Sequence, residues 1–239
     1  MAIDDLPGVV VNFLNIIGIK WPYINEDSLH SFATIVREFS QAVEQTHEDA
    51  TQTVSAAAQA YQGASTQVMS SGWSHLSATH VKELTAACTV AADALDAWAG
   101  FVVVQKIQAL AELAELAAGY FAAIAAAPET FGASLAALPG LEEIGEQIGN
   151  ALVQTLEQYV IGEVIAAACK PLEEKIASLL SGLDWSNAPG GVDPLSGGSG
   201  GFQLDTEASY KLASAMQTHA ATMRQHATDV SAKISALEF

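Results

Sequence analysis

The chain has 239 residues and a formal charge of −18, from 27 acidic and 9 basic side chains. This charge disfavours binding to phosphate backbones and to anionic lipid headgroups. Half of the residues are hydrophobic but only 7% are aromatic, and a composition dominated by Ala, Val, Leu and Ile favours close-packed helices over sheets.

The first predicted element is a short apolar helix from about Leu6 to Ile17, ended by Gly18. Pro22 prevents its direct continuation into the next element. The segment starts with aspartates instead of basic residues and has no small-residue cleavage site, so it is a poor match to a secretory signal peptide. Export would therefore use a route that recognises folded or helical features.

A long helix is predicted to begin after Asn25, which is placed as an N-cap, with Glu26 and Asp27 in the first turn. Apolar residues then alternate at three and four positions, with Thr46 as the polar exception, as in the seam of a coiled coil. The seam comprises Leu29, Phe32, Val36, Phe39, Val43, Ala50, Val54 and Ala57. The pattern predicts a helix that lies along another helix.

Small polar residues surround one large aromatic between Ser70 and Ser74, which predicts a turn or helix junction there. A second long helix is predicted from about Ser77 to Ala127, where Pro128 ends it. After a loop at 131–139, a further helix is predicted from about Leu141 to Leu180, kinked or split by Pro171.

The stretch 186–201 is rich in Gly, Ser and Pro and predicts a flexible linker. A final helix follows, with a seam at Leu212, Met216, His219, Met223, His226, Val230, Lys233 and Leu237. A single helix cannot bury such a seam, so it docks on the first domain, on a partner, or on residues beyond Phe239. His219 and His226 are either tolerated polar positions or a pH-sensitive contact with a partner.

These elements predict an all-α fold, an elongated bundle of long antiparallel helices with a helical hairpin. The predicted domains are a helical domain at 1–185, the linker at 186–201, and a C-terminal amphipathic helix at 202–239.

Two long heptad-patterned helices joined at Gly72-Trp73 resemble the WXG superfamily of type VII (ESX) secretion substrates. Three further motifs are similar to the CpnT-type export domain that opens many actinobacterial polymorphic toxins. These are Trp21-Pro22 before an acidic helix start, the run from Ala92 to Asp96, and the run from Gly132 to Leu135. The resemblance covers about residues 4–185. The motif departs from the pattern at its third position, where His75 replaces glycine.

The resemblance implies four-helix assemblies with small WXG-type helical-hairpin partners, contact with the secretion machinery, and localisation outside a Gram-positive cell or at its surface. It also implies an export signal of the form Tyr-x-x-x-Asp/Glu, for which Tyr159 with Glu163 and Tyr23 with Asp27 are the candidates. Trp73 is expected to lock the hairpin or to anchor a partner.

Catalytic and metal-binding patterns do not stand out, so we expect neither enzymatic activity nor a cofactor. His75 and His80 are five residues apart, which places them on different faces of an α-helix and disfavours zinc binding. Cys88 and Cys169 are interpreted as small buried hydrophobic residues, and a disulfide between them is the alternative.

The leading hypothesis is therefore a secretion-targeting and helix-pairing module at the front of a polymorphic toxin. One alternative is a closed structural scaffold whose last helix packs back on the bundle. Another is a membrane-inserting or pore-forming protein in which the helices at 101–127 and 141–180 enter a bilayer, and an enzyme is the weakest alternative.

Overall fold

The computed structural model describes residues 6–22, 24–60, 64–175 and 206–237. These residues are almost entirely helical and contain no strand, which confirms the predicted all-α class. In chain order the elements are α1 (Gly8–Ile17), α2 (Glu26–Ala60), α3 (Ala64–His75), a π-helical segment (Leu76–Val81), α4 (Lys82–Ala125), a 3-10 segment (Ala133–Ala137), α5 (Leu138–Tyr159), a second π-helical segment (Val160–Cys169) and α6 (Thr206–Ser235). The predicted linker at 186–201 lies outside the described residues.

The chain divides into two compact units, each assembled from segments that are distant in the sequence. Unit 1 consists of Met1–Ser31, Ala94–Ala166 and Glu238–Phe239, and unit 2 of Phe32–Asp93 and Ala167–Leu237. Helices α2 and α4 each supply residues to both units, so the division does not follow the order of elements along the chain.

Helix α1 ends as its sequence predicts. Gly18 has a left-handed backbone with φ of 72°, and its N–H donates to the carbonyl of Leu14. The N–H of Ile19 also donates to that carbonyl, at 3.1 Å. This arrangement satisfies carbonyl groups that a helix end otherwise leaves unpaired, and glycine adopts it without steric cost.

The start of α2 also follows the prediction, because the Asn25 side chain caps it. Asn25 Oδ1 accepts a hydrogen bond from the Ser28 N–H at 3.1 Å. Six of the eight apolar seam positions of this helix are buried, namely Leu29, Val36, Val43, Ala50, Val54 and Ala57. The predicted seam therefore does face the interior.

The core of unit 1 is mainly apolar but contains a buried ion pair. Phe13 of α1, Leu29 of α2 and Leu113 of α4 are fully buried in this core. Among them, Lys106 Nζ lies 2.8 Å from Glu26 Oε1, with side-chain exposures of 0% and 2%. Lys106 Nζ also donates to the Ile24 carbonyl at 2.7 Å. Glu26, predicted only as a favourable charge in the first turn of α2, is thus part of the core.

Helix α1 packs closely on α5 because two glycines of α5 face it. A Cβ atom added at Gly145 would lie 2.9 Å from Phe13 Cε1, and one added at Gly149 would lie 2.6 Å from Ile19 Cγ2. Both distances are well inside van der Waals contact. The two glycines are therefore required by packing, although glycine lowers helix propensity.

We expect Gly149→Ala to destabilise the protein by about 1–3 kcal/mol, because the new methyl group collides with Ile19. The matched control is Gly119→Ala on α4, where an added Cβ meets nothing within 4 Å. That change is expected to stabilise the protein by about 0.5–1 kcal/mol through helix propensity. Urea denaturation followed by circular dichroism measures both, and effects of the same sign would contradict the close approach of α1 and α5.

The helix boundaries near the prolines agree with the prediction at Pro128 and differ from it at Pro139. Helix α4 ends at Ala125, just before Pro128, as predicted. The next helix begins at Leu138, not at Leu141, because Pro139 fits the first turn of a helix, where no N–H is needed. The sequence predicts that Pro171 kinks or splits the helix, but residues 170–175 are helical directly after the π-helical segment Val160–Cys169, so the helix is not split there.

Among the described residues, α4 is long and apolar enough to cross a membrane by length and composition alone. Its most apolar 18-residue window has a mean hydropathy of 1.5 and is 33% buried. Core helices of soluble proteins pass the same test. Lys106, near the middle of α4, is fully buried in its ion pair with Glu26.

Candidate functional site

Trp73, the aromatic residue of the motif, joins α3 to α2. Its Nε1–H donates to Thr51 Oγ1 at 2.9 Å, and its ring stacks on the His47 ring at 5.0 Å between centroids. His47 Nε2 in turn lies 2.7 Å from Ser77 Oγ. Trp73 thus contacts the preceding long helix through both its polar and its apolar surface.

The sequence predicts a turn or a helix junction at Gly72, Trp73 and His75; no turn forms there, but α3 ends at His75 and a π-helical segment begins at Leu76. All three residues lie within helix α3, which runs from Ala64 to His75, and the preceding helix ends at Ala60. Glycine and serine cost only about 0.5–1 kcal/mol each inside a helix, which the tertiary contacts of a neighbouring tryptophan can outweigh.

The segment after His75 is π-helical. This corrects the expectation that His75 and His80 lie on different faces of an α-helix. The rings of His75 and His80 meet edge to face with centroids 6.0 Å apart. In a π-helix the hydrogen bonds join residues five apart, so these two positions stack one above the other. Among the described residues, no group of three or more His, Cys, Asp or Glu side chains is placed to hold a metal ion.

His47 makes the stability of unit 2 dependent on pH. Burial lowers the pKa of His47 below its ordinary value of 6.5, and the nearby Glu48 carboxylate opposes the shift. The unfolded chain therefore takes up a proton at this residue at higher pH than the folded chain does. The stability that His47 contributes above pH 6.5 is consequently lost as the pH falls below that value.

We expect the free energy of unfolding to decrease between about pH 7.5 and about pH 5.5, and His47→Gln to flatten this dependence. Chemical denaturation at several pH values measures the slope. His75→Gln in the same unit is the control, because His75 is exposed, and it should keep the slope that His47 produces. A slope unchanged by His47→Gln would contradict the assignment.

The seam of α6 faces the chain's own helix α2 within unit 2, which corrects its assignment as a partner-facing surface. His226 Nε2 lies 2.9 Å from Thr46 Oγ1, and His219 Nε2 lies 3.3 Å from Thr53 Oγ1. Further along, Lys233 Nζ contacts Glu38 Oε2 at 2.8 Å.

Polar groups meet polar groups along this contact. Thr46, the polar exception in the α2 seam, is matched by a histidine of the α6 seam. The remaining seam residues Leu212, Met216, Met223, Val230 and Leu237 are partly buried. Of the three docking possibilities open from the sequence, the structure therefore shows contact with the same chain.

The structure describes both residues of one candidate export signal and one residue of the other. Tyr159 is the last residue of α5, and its ring stacks on Phe101 with centroids 4.2 Å apart. Glu163 is exposed, in the second π-helical segment. Nothing in these contacts tests a role in export. Tyr23 of the alternative signal lies outside the described residues, and its partner Asp27 is in the first turn of α2.

The two cysteines differ from each other and both are free thiols. Cys88 is fully buried, as expected for a small hydrophobic residue, and burial raises the pKa of its thiol to about 11. Cys169 is exposed, so the expectation of burial was wrong for this residue. The alternative of a disulfide between them is not present in the structure.

An uncovered apolar stripe on α4 was missed by the sequence analysis. Within unit 1, every third or fourth residue along α4 is apolar: Val104, Ile107, Ala111, Ala114, Ala118, Phe121 and Ala125. We call these residues the outer seam. Val104 and Ile107 are 59% and 53% exposed, and all the others except Ala114 and Phe121 are exposed as well. The three-four spacing in the sequence was the available signal.

Unit 1 also has a shallow groove of about 320 Å³ between α4 and α5, and no residue of the outer seam is among its lining residues. Its lining alternates glutamines with small and apolar residues, including Gln105, Gln108, Ile144 and Ile148. The stripe of small apolar residues in the outer seam suits the close approach of a further helix.

The family model described as a WXG100 like domain matches residues 3–140, which is more than half of the chain. The chain belongs to the WXG100-like family. Members are helical proteins associated with type VII secretion, and domains of this type are typically exported by that route. No curated protein and no solved structure matches the chain.

The WXG100-like match includes Trp73, the outer seam and the turn after α4. It ends at the start of α5, so Tyr159 with Glu163 and all of α6 lie outside the matched residues. The family match therefore covers the region of Trp73 and the outer seam, and it gives no information on the candidate export signal Tyr159 with Glu163.

Proposed function

We propose that this WXG100-like chain is the secretion-targeting and helix-pairing module of a type VII (ESX) substrate, binding small WXG-type helical-hairpin proteins. The observation that carries the proposal is the outer seam, an apolar heptad stripe left open on a helix of a WXG100-like domain. Isolated amphipathic stripes gain stability only when another helix covers them.

The residues of the outer seam support pairing with a helix in particular. Four of its seven members are alanines, which permit a close approach of two helix backbones, and Val104 and Ile107 supply larger exposed apolar side chains. The family's association with secretion supports a hairpin protein as the occupant. A purely binding role, without catalysis, is part of the proposal.

The position of this chain within a larger toxin is also part of the proposal. The similarity of the motifs around Trp21, Trp73 and Gly132 to CpnT-type domains supports the N-terminal position in an actinobacterial polymorphic toxin, with export to the cell surface or beyond. For the export signal, Tyr159 with Glu163 is the better candidate, because both residues lie on consecutive helical segments, where positions four apart share a face.

Co-expression with hairpin proteins encoded in neighbouring genes tests the proposal. We expect a stable complex by size-exclusion chromatography with light scattering, and loss of the complex when Ile107 is changed to Glu. Tyr210→Glu is the control, since Tyr210 is an exposed apolar residue of α6 outside both the outer seam and the family match. A chain that stays monomeric with every candidate partner would favour the closed scaffold instead.

A membrane-inserting function is the second candidate, and the length and hydropathy of α4 favour it. Insertion of α4 would require the buried Lys106 to leave its ion pair with Glu26, which opposes insertion at neutral pH. Dye release from liposomes over a range of pH distinguishes the two functions, because a pairing module should cause none.

A further inference from the structure

The turn between α4 and α5 displays one large aromatic residue to solvent. Phe131 is 99% exposed, the highest value among the exposed large hydrophobic residues of the described chain. Ile124 before the turn and Leu135 in the 3-10 segment are 41% and 40% exposed. We call these three exposed hydrophobic residues the apolar tip, and none of them belongs to the outer seam.

The backbone of Phe131 is in an unfavourable conformation. Its φ of 52° is in the left-handed region, and within the described chain it is the only residue other than glycine recorded there. This region is rarely adopted by bulky residues. Since Phe131 neither packs against the protein nor suits its backbone, folding stability does not explain an aromatic side chain at this position.

The turn holds Phe131 through several hydrogen bonds. Ser134 Oγ donates to the Ala123 carbonyl at 2.7 Å, and Thr130 Oγ1 donates to Ser134 Oγ at 3.0 Å. The Gly132 N–H donates to the Ala127 carbonyl at 2.8 Å. A side chain presented by a preorganised turn binds with a smaller entropic cost than one on an unstructured loop.

The charge of the surrounding chain restricts what can bind there. Residues 107–169 contain no Lys, Arg or His but eight glutamates, Glu112, Glu115, Glu129, Glu142, Glu143, Glu146, Glu157 and Glu163. A second copy of the same acidic region and an anionic lipid surface would both be repelled. A surface with positive charge around an apolar cavity would be attracted.

We infer that the apolar tip is a docking surface for a protein that receives Phe131 in an apolar pocket rimmed by Lys and Arg side chains. A buried aromatic anchor within a charged rim is the usual anatomy of a strong protein contact. This surface lies at the end of α4 and is separate from the outer seam that the proposed function uses, so the two can be tested independently.

A photo-crosslinking residue at position 131 identifies the partner in producing cells. The chain carries p-benzoylphenylalanine in place of Phe131, or in place of Tyr210 as a control, because Tyr210 is 78% exposed on α6. We expect an adduct from position 131 and none of the same mass from position 210. The adduct is then identified, and its protein is purified for binding measurements.

Binding of the purified partner to the full chain tests whether Phe131 is the apolar anchor and whether the contact depends on charge. Phe131→Ala is expected to weaken the affinity by at least about 30-fold, as loss of an aromatic hot spot does. Tyr210→Ala should leave the affinity within about twofold. Raising the salt concentration from about 50 mM to about 500 mM should weaken binding by roughly tenfold or more, because salt screens the attraction between the acidic chain and a basic partner.

Several results would overturn the inference. These are the absence of a specific adduct at position 131, an affinity changed less than about threefold by Phe131→Ala, or a partner that binds equally well in high salt. Phe131-dependent binding to phosphatidylcholine or phosphatidylglycerol vesicles, or Phe131-dependent dimerisation in sedimentation, would assign the tip to a membrane or to a second copy instead. None of these results bears on the effect of Ile107→Glu on hairpin pairing.

Discussion

Glu26→Ala is expected to lower the free energy of unfolding by about 3–5 kcal/mol, because it leaves the Lys106 ammonium buried without a counter-charge. The two side chains are 2% and 0% exposed and lie 2.8 Å apart. The Ile24 carbonyl, the other acceptor for Lys106 Nζ, cannot neutralise the charge. Urea denaturation monitored by circular dichroism at neutral pH measures the loss.

The double variant Glu26→Leu with Lys106→Met separates loss of the pair from loss of packing. Replacing both charges with apolar groups of similar volume should leave stability within about 2 kcal/mol of the parent. Lys175→Ala is the control, because its pair with Glu83 is largely exposed, and it should give no resolvable change. Equal losses in the single and double variants would contradict the role of the buried charge.

Phe13→Ala is expected to destabilise the protein by about 3–5 kcal/mol, the usual cost of emptying a fully buried aromatic site. Phe13 has no exposed surface. Its ring lies 5.3 Å from that of Tyr120 on α4 and packs directly over Gly145 of α5, so truncation removes packing between α1 and both of these helices. The denaturation midpoint should fall while the slope with urea stays constant.

Phe131→Ala is the matched control, since it removes the same atoms from a side chain that is 99% exposed. Its effect on stability should be within about 0.5 kcal/mol. Should Phe131→Ala prove as costly as Phe13→Ala, the turn would be structural, and the inference of a docking role for the apolar tip would lose its basis.

Local signals predicted most helix boundaries correctly. Gly18 ended α1, Asn25 capped α2, and Pro128 followed the end of α4, because each residue acts on the backbone within one turn of itself. The signal failed at Ser70–Ser74, where the small residues and Gly72 suggested a turn. A continuous helix forms there, since Trp73 gains contacts with Thr51 and His47 that outweigh a weak local preference.

The candidate surfaces were predicted unevenly. The apolar seam of α6 was visible in the sequence, but its occupant was not, because periodicity shows which face is apolar and not what covers it. The π-helical turn that brings His75 to His80 gave no sequence signal. The outer seam was present as a three-four repeat, yet only solvent exposure distinguishes it from the buried seam on the same helix.

The sequence by itself determined that this protein is helical, acidic and patterned for helix pairing, since these properties depend on residue spacing and composition. Only the tertiary structure decided that Glu26 and Lys106 meet in the core, that α6 docks on α2, and that the outer seam and Phe131 remain uncovered. The reason is physical: burial is a property of pairs of distant segments, and no single stretch of chain specifies which of its apolar faces finds a neighbour.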